Sequence, residues 1–416
     1  MFSATATLYR NAYSGLTKHI WLLSVVMLIN RSGTMVLAFL TLYCKQLGYS
    51  IEQGGVVVGI YGLGSILGAF LGGKLSDRFG FYRIQFLALF LGGMLFIALG
   101  QMSSYISICI CTFALSAVNE TFRPANAAAI AHYSNAKNRT QSFSLVRLAV
   151  NLGWGVGIAV GGLLASIHYQ WLFWVDGCSS ITAAILLLLI LPKVSLEEQR
   201  KPTLQKLTAD PVTATLNESP WKDRTFLYFL LFIIFFASCF FQLFTTVPVY
   251  FKVNLGLSEF DIGLVMAMNG LLIALVEMLL VFKMEGRKPY LYYISLGTFL
   301  MSVSFIILNL PLLSGLVLAL FSVLILTVAE MVSMPFMNSY YIGRSNERTR
   351  GSYAGMYTMA WSAAQVIGST GGSFVAGKIG FHQLWWLVVL LCMMATAGFY
   401  WLLKKEEDQK NSACFK

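Results

Sequence analysis

Seven ionisable residues interrupt otherwise apolar stretches of this sequence: Arg31, Glu120, Arg123, Arg147, Asp176, Glu277 and Glu330. A charge in hydrocarbon costs about 2.5–3.5 kcal/mol on insertion scales unless it is paired or faces water. Glu120 and Arg123 stand at i,i+3, which puts them on one face of a helix. Desolvation favours the protonated form of a carboxyl group, and a neighbouring arginine favours the ionised form. A glutamate that meets an arginine in only one conformation therefore gains and loses a proton as the conformation alternates. Glu120, and after it Glu330, are the proton-carrying candidates on this chemistry. Arg31 adds a cation able to draw an anionic group when Glu120 is protonated. Arg123, Arg147, Asp176 and Glu277 are expected to form an intramembrane charge network, with Asp176 also suited to a helix N-terminus.

Other chemistries find little footing. The seven cysteines lie mostly inside apolar runs without paired spacing, which suits packing, and the four histidines are isolated, so no metal site is expected. A membrane-embedded enzyme would need a Ser/His/Asp, Cys/His or metal constellation, and none is visible in the sequence. The run Gly372 to Lys378 imitates a phosphate-binding loop, but Ile379 follows where Ser or Thr is needed, and no strand precedes it. No cofactor is expected; a proton gradient is the expected energy source.

The elements that carry these charges follow from composition. Of 416 residues, 57% are hydrophobic and 11% charged, against about 25% charged in a soluble domain. The expected solvent for most of the surface is lipid. The apolar runs are continuous and do not alternate, which points to helices and away from a β-barrel. Twelve runs of spanning length lie near 20–44, 54–73, 84–101, 105–131, 141–166, 171–191, 225–251, 262–282, 290–309, 312–337, 351–377 and 383–403. The one long polar stretch, 192–224, reads as a linker between a bundle at 1–191 and another at 225–416. With both termini inside, the basic residues crowd the inner loops, while the outer loops hold only Lys45, Lys252 and Lys378. That asymmetry, rather than nucleic acid binding, accounts for the net charge of +11.

The two halves repeat. Leu47-Gly48-Tyr49-Ser50 returns as Leu255-Gly256-Leu257-Ser258, Arg139-Thr140 as Arg348-Thr349, and Gly161-Gly162 as Gly371-Gly372. Glu120 and Pro124 match Glu330 and Pro335, all at an offset of about 208–211 residues. An all-α protein with twelve membrane helices in two pseudo-symmetric six-helix bundles is a transporter architecture, with a solute site expected at mid-membrane. Asn30, Arg31, Gln242, Asn269, Trp361 and Gln365 are the expected substrate contacts, as polar or aromatic positions on helices near such a cavity.

After the second run comes Gly73-Lys74-Leu75-Ser76-Asp77-Arg78-Phe79-Gly80-Phe81-Tyr82-Arg83. It resembles the signature loop of the major facilitator superfamily, matching at Gly73, Leu75, Asp77, Arg78 and Gly80. Phe81 and Tyr82 replace two basic residues, and Arg83 keeps one. The resemblance implies that Asp77 caps the eleventh helix near Gly351-Ser352, with Arg78 and Arg83 in one gating cluster. Gly153, Gly157, Gly161 and Gly162 on the fifth helix resemble the glycine motif of the superfamily's antiporters, mostly drug exporters, with Ile158 where that motif has proline. Without the family, they read as small-residue helix packing. The arginine that the superfamily's fourth helix carries ahead of its proline is missing, and Thr112-Phe113 stand there. The resemblance implies a monomeric inner-membrane secondary transporter of a small organic molecule, most similar to the exporters. The alternative is a proton-coupled importer of a metabolite, peptide or siderophore.

Overall fold

The computed structural model describes residues 11, 13–49, 51–194, 219–310 and 315–414. Residues 195–218, most of the expected linker, lie outside the described residues. Among the described residues the structure is helical and no strand occurs.

The first expected span is two helices, α1 (Lys18–Ser32) and α2 (Val36–Gln46), broken at Gly33 to Met35. The second and third are α3 (Ile51–Phe79) and α4 (Phe81–Leu99). The fourth divides at Thr121 into α5 (Tyr105–Glu120) and α6 (Phe122–Tyr133). Pro124 explains the division, because its ring clashes with the carbonyl four residues back, that of Glu120. The fifth and sixth are α7 (Arg139–Ile167) and α8 (Gln170–Ile190). The seventh is α9 (Arg224–Phe240), a 3-10 turn at Phe241–Phe244, and α10 (Thr246–Val253). Single helices complete the series: α11 (Glu259–Met284), α12 (Tyr290–Leu308), α13 (Gly315–Arg344), α14 (Arg350–Lys378) and α15 (Phe381–Cys414). Pro335 leaves α13 continuous.

The first, fourth and seventh segments thus each contain a break. Twelve helical segments remain. Among the described residues nine helices are long and apolar enough to cross a membrane; the other three segments are the broken first one, α7 and α14. Large apolar side chains such as Leu63, Ile106, Ile110 and Leu189 are exposed along these helices, as lipid contact requires.

Contacts divide the chain into two compact units. One gathers residues 15–194 with Ser345–Met359, and the other residues 219–344 with 360–414. The first turns of α14 thus belong to the first unit. There α1 packs on α7 and α8, α3 on α5, and α4 on α8. In the second unit α12 packs on α13 and α15, α9 on α15, and α11 on α13.

Candidate functional site

Within the first unit, Asp77 near the end of α3 holds the start of α14. One carboxylate oxygen accepts from the Gly351 N–H at 2.7 Å, the other from the Ser352 N–H at 2.7 Å and from the Ser352 hydroxyl. A carboxylate on the first free amides of a helix meets the positive end of its dipole. Gly73 permits the approach: a Cβ there would lie 2.6 Å from the Gly351 carbonyl oxygen. Gly80 has φ of 89°, which turns the chain from α3 into α4. Leu75 is half-buried, whereas Arg78 and Arg83 are exposed. The guanidinium of Arg78 lies over the Phe79 ring at 5.2 Å.

The charge beside Asp77 comes instead from Arg350, within electrostatic reach and itself paired to Glu347 at 2.8 Å. Arg350 and Glu347 thus stand beside Asp77, which the motif did not indicate. Phe81 and Tyr82, the two departures from the motif, are buried. Phe81 packs on His132 and Tyr133, and the Tyr82 hydroxyl lies 3.4 Å from the Leu187 and Leu191 carbonyls.

Deeper in the same unit is a cluster on α1, α3, α5 and α6. Arg123 Nη1 lies 3.4 Å from Glu120 Oε2, so the pair survives the turn at Thr121; the glutamate side chain is 16% exposed and the arginine 47%. Arg31 on α1 is within electrostatic reach of both and of Tyr61. Tyr61 is hydrogen-bonded to Asn119. Arg31 Nε is buried and has no hydrogen-bond partner. Tyr61 was absent from the sequence-based set, because a tyrosine in an apolar run carries no charge signal.

The glycines of α7 position this cluster. A Cβ on Gly153 would come 2.7 Å from Cβ of Arg31, one on Gly157 3.1 Å from the Arg31 carbonyl oxygen, and one on Gly161 2.8 Å from Cβ of Met35. They form a groove that seats α1 where it carries Arg31 and then breaks. Gly162 follows on the same helix.

Asp176 does not join an ion pair among the described residues. Its carboxylate accepts from the Met35 N–H at 3.1 Å and the Val36 N–H at 2.8 Å. It therefore caps α2 rather than its own helix α8, and satisfies amides that the break would leave bare in an apolar interior. Asn30 donates to the Ser180 hydroxyl at 3.3 Å, tying α1 to α8. Arg147 lies half-buried on α7.

The second unit places its candidates differently. Asn269 on α11 donates to Thr327 at 2.9 Å and to Glu330 Oε2 at 3.2 Å, both on α13. Glu277 is buried on α11. Gln242 sits in the break after α9, donates to the Ser238 and Gly368 carbonyls at 3.0 and 2.8 Å, and accepts from Thr246 at 2.7 Å. Both amide hydrogens and one lone pair of the carbonyl are thus engaged within the break. Trp361 on α14 lies among Phe236, Phe240 and Phe241, and Gln365 one turn on is exposed.

A further cluster escaped the sequence entirely. Arg344, the last residue of α13, makes a two-pronged bond to Asp223 at 3.0 and 2.9 Å and a third bond to Glu406 at 2.8 Å. The Tyr340 hydroxyl donates to the same Glu406 oxygen at 2.7 Å. Asp223 also caps α9 through the Phe226 N–H at 3.0 Å. The network joins one end each of α9, α13 and α15. Its bonded partners lie 62 to 121 residues apart, so no local spacing signals it.

Helical segments of spanning length, charges held inside them and helix ends clamped by carboxylates define a multi-pass membrane protein. The chain belongs to the Major Facilitator Superfamily, whose family description matches residues 20–369. It is similar to a Na(+), Li(+), K(+)/H(+) antiporter of Planococcus maritimus, 24% identical over 82% of this chain and 85% of that protein. It is also similar to Multidrug resistance protein 2 of Bacillus subtilis, 21% identical over 61% of this chain and 63% of that protein. In fold it resembles the human organic anion transporter MFSD10 (TETRAN), with TM-score 0.70 and 14% identity over 92% of this chain and 98% of that one. The chain is a secondary transporter and carries the major facilitator fold.

Proposed function

We propose that this transporter exports a small organic solute across the inner membrane by proton-coupled alternating access, with Glu120 as the proton carrier. The observation that carries the proposal is the half-buried Glu120, 3.4 Å from Arg123 and within reach of Arg31. Two cations around one carboxylate favour proton release, and separating them from it favours uptake. The buried, unpartnered Nε of Arg31 suits an anionic group on the solute. Glu330, bound to Asn269, is the second candidate acid. Export is supported by the antiporter and multidrug resistance names of the two bacterial relatives.

Import by symport is a second reading. It is favoured by Thr112, which is fully buried where the superfamily's fourth helix has arginine. Both termini are proposed to lie inside, with bundles 1–191 and 225–416 joined by 192–224 and the protein working as a monomer. Asp77 then closes the inner side by holding α14. In intact cells, cysteines introduced near residues 52 and 259 react with an external reagent, and one at 200 does not; reaction at 200 overturns the orientation.

The functional test uses proteoliposomes with an imposed pH gradient and a panel of anionic, neutral and cationic solutes. Glu120→Gln abolishes gradient-driven accumulation while solute binding and thermal stability persist. Accumulation against the gradient by Glu120→Gln refutes the coupling role. Lost stability instead assigns Glu120 to structure. The sign of the flux under the gradient decides between export and import.

A further inference from the structure

The outward face of α15 changes character at one point. Trp386, Leu390, Met393, Met394, Tyr400 and Trp401 are exposed along it, at the three- and four-residue spacing of a single helix face. The next positions on that face are Lys404 and Lys405. The opposite face, Phe399, Leu402 and Leu403, is buried, and Glu406 turns inward to Arg344. The lysines mark where the lipid-facing surface meets the polar zone.

Around them lies an open hollow of about 550 Å³ lined by Trp401, Lys404, Lys405, Asp408 and Gln409. Lys405 Nζ sits 5.1 Å above the Trp401 ring and 5.8 Å above Tyr228 of α9, and those two rings meet edge to face at 5.4 Å. Lys404 Nζ lies 5.2 Å over the Tyr400 ring. Among the described residues neither lysine has a carboxylate partner. Two ammonium groups are thus held in place by aromatic faces, which orient a cation without neutralising it.

We infer that this hollow binds the phosphate headgroup of an anionic phospholipid, with the acyl chains along the apolar stripe from Tyr400 to Trp386. Two lysines against the single carboxylate of Asp408 leave the lining net positive, which calls for an anion, and the adjoining apolar stripe calls for one with a hydrocarbon tail, which a free phosphate lacks. The bound headgroup would bridge α15 to α9 through Lys405 and Tyr228, beside the Asp223–Arg344–Glu406 junction.

The test is native mass spectrometry of the full-length protein released from nanodiscs of mixed phosphatidylglycerol and phosphatidylcholine. Wild type retains phosphatidylglycerol in preference to phosphatidylcholine. Lys404→Gln with Lys405→Gln, at an exposed and a half-buried position, leaves the melting temperature unchanged and weakens that preference by roughly fivefold per lysine. Equal retention of the two lipids by wild type, or an undiminished preference in the double variant, overturns the proposal. So does displacement of the bound lipid by millimolar inorganic phosphate. Trp401→Leu, which removes the ring beneath Lys405, weakens the preference to a lesser degree; no change in it overturns the role given to the aromatic support.

Discussion

The two units tie their helix ends together with opposite chemistry. In the first, Thr17 caps α1 by accepting from the Ile20 N–H, and its hydroxyl donates to the Tyr133 carbonyl at the end of α6. The Tyr133 hydroxyl then reaches the Pro192 carbonyl beyond α8. In the second, Asp223 caps α9, and its carboxylate accepts from Arg344 at the end of α13, which also binds Glu406 on α15. The capping position is common to both, and the direction of the cross-helix bond is reversed. A hydroxyl accepts and donates at once, so a backbone carbonyl suffices as its second partner. A carboxylate only accepts, so the opposite helix must supply a donor, and arginine supplies a forked one. Duplication preserved the junction's place and left its polarity free to change.

The sharpest way to break this contrast is Arg344→Met. It leaves the buried Asp223 and the half-buried Glu406 without their cation, which costs about 3–5 kcal/mol and lowers the melting temperature in detergent. Adding Asp223→Asn and Glu406→Gln recovers most of that loss, because no buried charge then remains unpaired. An Arg344→Met protein that melts like wild type removes the charged junction from the comparison.

A smaller effect is expected at Asp77. Its carboxylate rests on backbone amides and a hydroxyl, and a charge on a helix N-terminus is worth about 0.3–2 kcal/mol. Asp77→Asn shifts a near-balanced conformational equilibrium several-fold towards opening at the Asp77 end, read as increased distance between spin labels flanking that end, and it slows transport. Unchanged distances detach Asp77 from gating. The mildest substitution is Thr17→Val, costing about 1 kcal/mol as a lost cap. A loss as large as that of Arg344→Met would mean that the neutral junction is no weaker than the charged one.

How much was legible in the sequence depended on the range of the signal. The twelve segments were visible because a span is a local property of about twenty residues. The Asp77 contact was visible because its partner sits in a motif of known neighbours. Asp176 was half visible: its suitability for a helix N-terminus could be read, but not that the helix is α2, since the break at Gly33 depends on packing against α8. Gln242 reads as a solute contact from the sequence, and that it also fills a helix break shows only in the structure. Tyr61 and the Arg344 network depend on approaches between distant helices, which no periodicity encodes.

The break between α1 and α2 has one more consequence, for competition. Free amides at a helix start in an apolar interior attract anions without help from any side chain. Here Asp176 already occupies that place, with both carboxylate oxygens on the Met35 amide and one also on that of Val36. An incoming anion therefore finds these amides taken and would have to displace a covalently tethered rival. One turn away Arg31 lies against Gly153 and Gly157, and its buried Nε has no such tenant. The tethered carboxyl group thus silences the backbone attraction at the break, and any recognition of charge has to come from side chains.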